Sequence, residues 1–95
     1  VRALASSEGI EEALLAEWEI SQPGTAERSE LTATMTAPKA WRFVGEMEQI
    51  AATLAANGLP TGFGDAAADI YARVAALRDQ PGATLADVLD RIERA

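Results

Sequence analysis

The stretch PKAWRFVGEMEQIAATLAANGLP, residues 38–60, decides the fold. Pro38 suits the first turn of a helix, where a missing N–H costs no hydrogen bond. Phe43, Met47, Ile50 and Leu54 follow at spacings of 4, 3 and 4, which predicts one apolar helix face. Lys39, Arg42, Glu46, Gln49 and Thr53 form a separate polar stripe. Gly45, Ala52 and Ala56 form a third strip, small enough for another backbone to come close. Gly58 fits the left-handed position that ends a helix, Leu59 can fold back on the last turn, and Pro60 prevents continuation. The helix predicted over 38–57 is apolar over a wide arc, which predicts a central place in the domain.

Downstream, Phe63, Ala67, Ile70, Val74 and Leu77 repeat at 4, 3, 4 and 3, predicting a helix over 62–78. Gln80-Pro81-Gly82 reads as a turn. Thr84 is an N-cap for the last helix, and Asp87, three residues on, completes an acidic capping box. Leu85, Val88, Leu89 and Ile92 form the apolar face of that helix.

Upstream, Val1 to Glu8 reads as the last turns of a helix closed by Gly9, with Ile10 placed to pack back on Leu4. A second helix is predicted over 11–20, with Ile10, Ala13, Leu14 and Trp18 to one side. Ser21-Gln22-Pro23-Gly24 breaks the chain, and a polar helix over 25–35 follows with Leu31 and Met35 as its apolar contacts. No stretch alternates as a strand does. The expected fold is all-α, a single helical domain of about five to six helices.

Composition narrows the function. Ninety-five residues make one domain. Apolar residues are 48% of the chain, but many are alanine and only 5% of the chain is aromatic. An alanine methyl buries little area, so the core is expected to be thin, with part of the apolar surface covered by another body. The net charge of −7 repels phosphate backbones and anionic lipid, so neither nucleic acid nor a membrane is an expected partner. No apolar run is long enough to span a bilayer and no signal peptide is legible, so the chain reads as cytoplasmic. There is no cysteine and no histidine. Disulfides, thiolate nucleophiles, cysteine- and histidine-ligated metals and histidine-based triads are therefore excluded; oxygen ligands exist but without the spacing of a calcium loop, so no metal site is expected.

Gly62-Phe63-Gly64-Asp65-Ala66-Ala67 carries the letters of a dinucleotide-binding turn, but a helix and Leu59-Pro60-Thr61 precede it where that turn needs a strand. It reads as a flexible helix entry. Asp69–Arg73, Asp87–Arg91 and Asp90–Arg94 are acid-first i, i+4 pairs, which read as solvated helix faces. The stripe Lys39, Arg42, Glu46, Gln49, Thr53 stands out, because Trp41 sets an aromatic ring beside its cations.

The block Ala37-Pro38-Lys39-Ala40-Trp41-Arg42-Phe43-Val44-Gly45-Glu46-Met47-Glu48-Gln49-Ile50-Ala51 resembles a family motif. Gly58-Leu59-Pro60, Gly62-Phe63, Ala66-Ala67-Ala68 and Tyr71 fit the same pattern. So do Ala13-Leu14-Leu15-Ala16-Glu17-Trp18 and Ser21-Gln22-Pro23. Together they resemble the C-terminal domain of bacterial NAD(P)-dependent enzymes of the 6-phosphogluconate dehydrogenase-like type, within the β-hydroxyacid dehydrogenase superfamily. The resemblance covers roughly 10–78. It implies an N-terminal Rossmann domain for NAD or NADP, a long connecting helix, and an all-α C-terminal domain that closes the cleft and builds a homodimer.

On that resemblance, residues 1–95 are the all-α substrate and dimerisation domain of a longer product, and the Rossmann domain is absent from this chain. Val1 is not an initiator methionine, and the chain opens in mid-pattern. The superfamily's catalytic lysine lies on a helix that would end near Gly9. Residues 1–8 hold no lysine, so that group is expected upstream, and Lys39 does not inherit its role. Classical members carry a Lys-Asp pair on the central helix, where this chain has Glu46 and Met47, so a cationic or neutral polar substrate is as compatible as a carboxylate. The expected function is hydride transfer in the parent between nicotinamide and a hydroxy/carbonyl or amine/imine substrate. Trp41, Arg42, Glu46 and Gln49 are the expected substrate-binding wall, with no catalytic or cofactor-binding residue and no cofactor held by this chain alone. The alternative is a stand-alone acidic helical interaction module without enzymatic activity.

Overall fold

The computed structural model describes residues 1–94. Among them six α-helices run α1 (Arg2–Glu8), α2 (Glu11–Ser21), α3 (Thr25–Thr36), α4 (Phe43–Ala56), α5 (Gly62–Val74) and α6 (Leu85–Glu93). Two 3₁₀ segments, Ala37–Arg42 and Ala75–Leu77, complete the described residues' regular structure, which contains no strand. The fold is all-α, as the periodicity predicts. No described helix is long and apolar enough to cross a membrane.

The helix ends follow from side-chain chemistry. Gly9 and Gly58 take φ of 71° and 70°, a left-handed conformation that a Cβ would strain. Each then closes the preceding helix with two bonds. Gly9 N–H donates to Ser6 O and Ile10 N–H to Ala5 O; Gly58 N–H donates to Ala55 O and Leu59 N–H to Leu54 O. Ile10 and Leu4 nevertheless stay largely exposed, so the expected apolar clasp between them buries little.

The turn at Gln80-Pro81-Gly82 is present, with Ala83 N–H donating to Gln80 O at 3.1 Å. Helix α5 stops short of the predicted Arg78. Its end tightens into the 3₁₀ turn Ala75–Leu77, and Asp79 takes the left-handed conformation at φ 59°. A short polar side chain tolerates that region better than most. The Asp79 N–H donates to Pro38 O at 3.2 Å, which ties the two 3₁₀ segments together.

At α6 the capping box is complete. Thr84 Oγ1 accepts from the Asp87 N–H, and the Thr84 N–H donates to Asp87 Oδ2 at 2.9 Å. Asp87 is thereby drawn from its expected pairing with Arg91. The bond from the Thr84 backbone holds the Asp87 carboxyl below its ordinary 3.8. A depressed folded-state value contributes stability that is present above 3.8 and lost as pH falls through the lower folded value. Urea titrations below about pH 4 should therefore show an acid-dependent loss that Asp87→Asn removes. Thr84→Ala should cost about 0.5–2 kcal/mol in the same measurement at neutral pH.

The core lies where the first 3₁₀ segment crosses the end of α5 and α6. Ala37, Ala40, Val74, Leu77 and Val88 form it, with Ala33, Tyr71, Ala83 and Ile92 packed around them. It is as thin as the composition predicts, since no large side chain is fully buried.

Helix α4 is not central, contrary to the expectation from its wide apolar arc. It packs chiefly on α5 and the adjacent 3₁₀ segment, and Ala51 is its one buried residue. Phe43, Met47 and Leu54 are half-buried and Ile50 is exposed. The two helices meet at small residues, but not at the predicted strip. Gly45, Ala52 and Ala56 are exposed, whereas Gly64 is buried against Ala51. A Cβ on Gly64 would lie 3.0 Å from Ala51 Cβ. Phe63, predicted to head the buried face of α5, is 95% exposed. The α4–α5 hairpin lengthens the molecule: the radius of gyration is 14.8 Å, against about 12 Å for a compact chain of this length.

Two arginines join the remaining helices. Arg2 donates to Glu11 Oε1 at 2.7 Å and to Ser29 Oγ at 3.0 Å, linking α1, α2 and α3. Arg73 pairs with Asp69 and donates to Ile92 O at 2.8 Å, so a cation meets the C-terminal end of α6. The Asp69–Arg73 and Asp90–Arg94 pairs form as the spacing predicts.

Candidate functional site

The 3₁₀ segment Ala37–Arg42 organises the sequence-predicted residues. Side chains three apart line up along a 3₁₀ helix. Ala37 and Ala40 therefore share one side and are completely buried. Pro38 and Trp41 share a second side and are half-buried, while Lys39 and Arg42 share the third and are exposed. The sequence predicted an α-helix from Pro38 onward. The tighter winding is what sinks both alanine methyls into the core together and leaves two cations outside.

Trp41 is the hub of this surface. The Arg78 guanidinium carbon lies 3.7 Å from its ring centroid and that of Arg42 lies 5.4 Å away. A guanidinium above an indole face is attracted by the ring quadrupole. Arg78 also pairs through Nε with Asp79 Oδ2 at 3.4 Å. The Trp41 Nε1 is buried without a hydrogen-bond partner. A buried donor left in that state costs about 1–3 kcal/mol.

The structure brings together Trp41 and Arg42 but, among the described residues, forms no hydrogen bond or ion pair between them and the other two predicted residues. Glu46 and Gln49 are exposed on α4, and neither side chain has a hydrogen bond or ion pair among the described residues. Arg42 and Glu46 are one helical turn apart but unpaired, with Arg42 turned to Trp41 instead. Gln49 lines a shallow depression with Ile50, Thr53 and Leu54. The whole stripe from Lys39 to Thr53 is exposed.

A larger cavity lies elsewhere, with a volume of about 620 Å³. Leu4, Trp18, Ile70, Leu89 and Ile92 are among its lining residues, and Arg2 is its one charged side chain. Arg2 is already matched by Glu11 and Ser29. This groove offers mainly apolar surface. The Trp41 surface is rich in donors, and its one recorded carboxylate, Asp79, is paired with Arg78.

Arg78 is the residue that sequence reasoning missed. No helical spacing relates it to Trp41, because the contact depends on how α5 ends. Gly62 starts α5 with no strand before it, so the glycine letters there serve helix entry and, at Gly64, the close approach to α4.

No curated protein and no solved structure matches the chain. One family model, described as a domain of unknown function (DUF1932), matches residues 5–74.

Proposed function

The chain belongs to the DUF1932 family, a domain found at the C-terminus of 6-phosphogluconate dehydrogenase-like NAD(P)-binding proteins, and from that premise we propose that it is the substrate-covering and dimerising domain of an NAD(P)-dependent dehydrogenase or reductase. The family match carries this reading. An all-α fold without a phosphate-binding turn supports it, since such a domain needs a Rossmann partner to hold NAD or NADP. The parent would transfer hydride between nicotinamide and a hydroxy/carbonyl or amine/imine carbon. Trp41, Arg42, Glu46 and Gln49 would wall the substrate side, where the unpaired polar ends of Arg42, Glu46 and Gln49 are free to meet a small molecule. The exposed strip Gly45, Ala52, Ala56 and the exposed Phe63 are suited to cover by the second copy of a homodimer.

Calorimetric titration with NADH and NADPH tests the division of labour. The 95-residue chain should show no binding at micromolar concentrations, and the full-length parent should bind one of the two. A parent that binds neither overturns the proposal and leaves the interaction module, a reading that the near-complete exposure of Phe63 favours. Within the parent, Glu46→Gln should change kcat/KM by at least about tenfold, since about 1.4 kcal/mol of transition-state binding is a factor of ten. Stability should move by no more than about 0.5 kcal/mol, because the side chain is exposed and unpaired. Unchanged kinetics at matched stability would remove Glu46 from the site.

A further inference from the structure

We propose that Trp41, Arg42 and Arg78 form a binding site for a small oxyanion, a carboxylate or phosphate group. The argument is one of unmatched donors. Stacking on an indole engages the flat face of a guanidinium and leaves its N–H edge free to pair in plane. Arg42 has no ion pair or side-chain hydrogen bond among the described residues, and Arg78 commits only Nε, to Asp79. The Trp41 Nε1–H is the only buried side-chain polar atom among the described residues that lacks a partner. Two guanidinium groups thus gather on the ring that carries the unpartnered indole N–H, and the one carboxylate recorded against them is that of Asp79, on Arg78.

The surroundings favour an anion despite the chain's net charge of −7. Residues 31–45 contain Lys39 and Arg42 and no acid; of the nearby carboxylates, Asp79 is already paired with Arg78, and Glu46, one turn beyond Arg42, is exposed to solvent. Screening limits the influence of distant carboxylates to about 8–10 Å at physiological salt, so the local cations govern what binds. An oxyanion accepts several hydrogen bonds at once, which is what this donor set lacks. The long, exposed side chains of Arg42 and Arg78 can turn toward an incoming group without moving the backbone. That the anion belongs to a substrate rests on the dehydrogenase reading above; that the surface binds one does not.

The two tryptophans supply the test. The ¹⁵N-labelled 95-residue chain should show two indole N–H signals, from Trp18 and Trp41, assigned with Trp18→Phe. Inorganic phosphate and acetate are titrated separately at constant ionic strength. The Trp41 signal should move saturably with at least one of them, with a dissociation constant on the order of 1 mM, while the Trp18 signal stays in place. Arg42→Gln should weaken the response at least several-fold, and Arg78→Lys, which keeps the charge but loses the planar fork, should weaken it less than Arg78→Gln. An unmoved Trp18 signal in each variant reports that the fold is kept. The proposal is overturned if neither anion moves the Trp41 signal saturably, or if Arg42→Gln/Arg78→Gln responds as wild type does. Because no nicotinamide takes part, a negative result leaves the dehydrogenase reading intact, and failure of that reading leaves this site standing.

Discussion

Leu77→Ala is expected to lower the unfolding free energy by about 2–5 kcal/mol, with the value in the upper part of that range. Leu77 is 5% exposed and is the largest side chain in a cluster otherwise made of Ala37, Ala40, Val74 and Val88. The cost of truncation has two parts, the lost transfer of the leucine atoms and the void they leave. Here the void cannot close easily. Its buried neighbours Ala37, Ala40, Val74 and Val88 are short side chains, and a methyl cannot swing into the gap as a methionine could. Domains of this size hold a total of about 5–14 kcal/mol, so the substitution removes a large share. Urea unfolding followed by circular dichroism measures it, and a loss under about 1 kcal/mol would show that the cluster is not the core. Phe63→Ala is the contrast. Phe63 is larger than Leu77, but at 95% exposure its truncation should stay within about 0.5 kcal/mol.

Sequence periodicity gives Phe63 and Leu77 equal standing, since both lie on the 4, 3, 4, 3 face of the helix predicted over 62–78. Their different fates mark where the sequence stops being legible. Periodicity states which residues share a helix face; it does not state how far along the helix a partner reaches. The far end of α5 is covered by the first 3₁₀ segment and α6, and Phe63 at the near end is not. The same limit explains α4, whose apolar arc is genuine but has chiefly α5 and the 3₁₀ segment against it.

The helix stops at Gly9 and Gly58 and the last helix's N-cap, by contrast, were legible. Gly9, Gly58 and the Thr84–Asp87 box act through bonds spanning at most five residues, so nothing distant can override them. Within the candidate site, Trp41 and Arg42 are neighbours in sequence and were found together. Arg78 was not, because its place on the Trp41 ring depends on a left-handed Asp79 that no pattern of apolar residues announces.

Gly64→Val should destabilise the domain by about 1–3 kcal/mol through overpacking at the α4–α5 contact. Even the first added carbon would lie 3.0 Å from Ala51 Cβ and 3.2 Å from the Ala51 Cα and N. Two of those three atoms are backbone, so a side-chain rotation cannot relieve the clash, and the helices must separate. The effect is isolated by placing the same substitution at Gly45, also inside a helix but with nothing within 4 Å. Gly45→Val carries the same change in helix propensity and should stay within about 0.5 kcal/mol of wild type, on the stabilising side. The difference between the two variants is then packing alone. Ala51→Gly should offset part of the Gly64→Val loss, because it removes the nearest atom but not the two backbone atoms behind it. A coupling energy of at least about 0.5 kcal/mol in the double-mutant cycle is expected. Zero coupling would mean that the hairpin accommodates the valine elsewhere along its length. The separation has a functional readout as well. Glu46 and Gln49 ride on α4, whereas Trp41 is anchored to the core through Ala37 and Ala40. Pushing α4 away from α5 therefore shifts the first two residues relative to the third. If all of them wall one substrate, Gly64→Val in the full-length protein should raise KM under conditions where it is still folded.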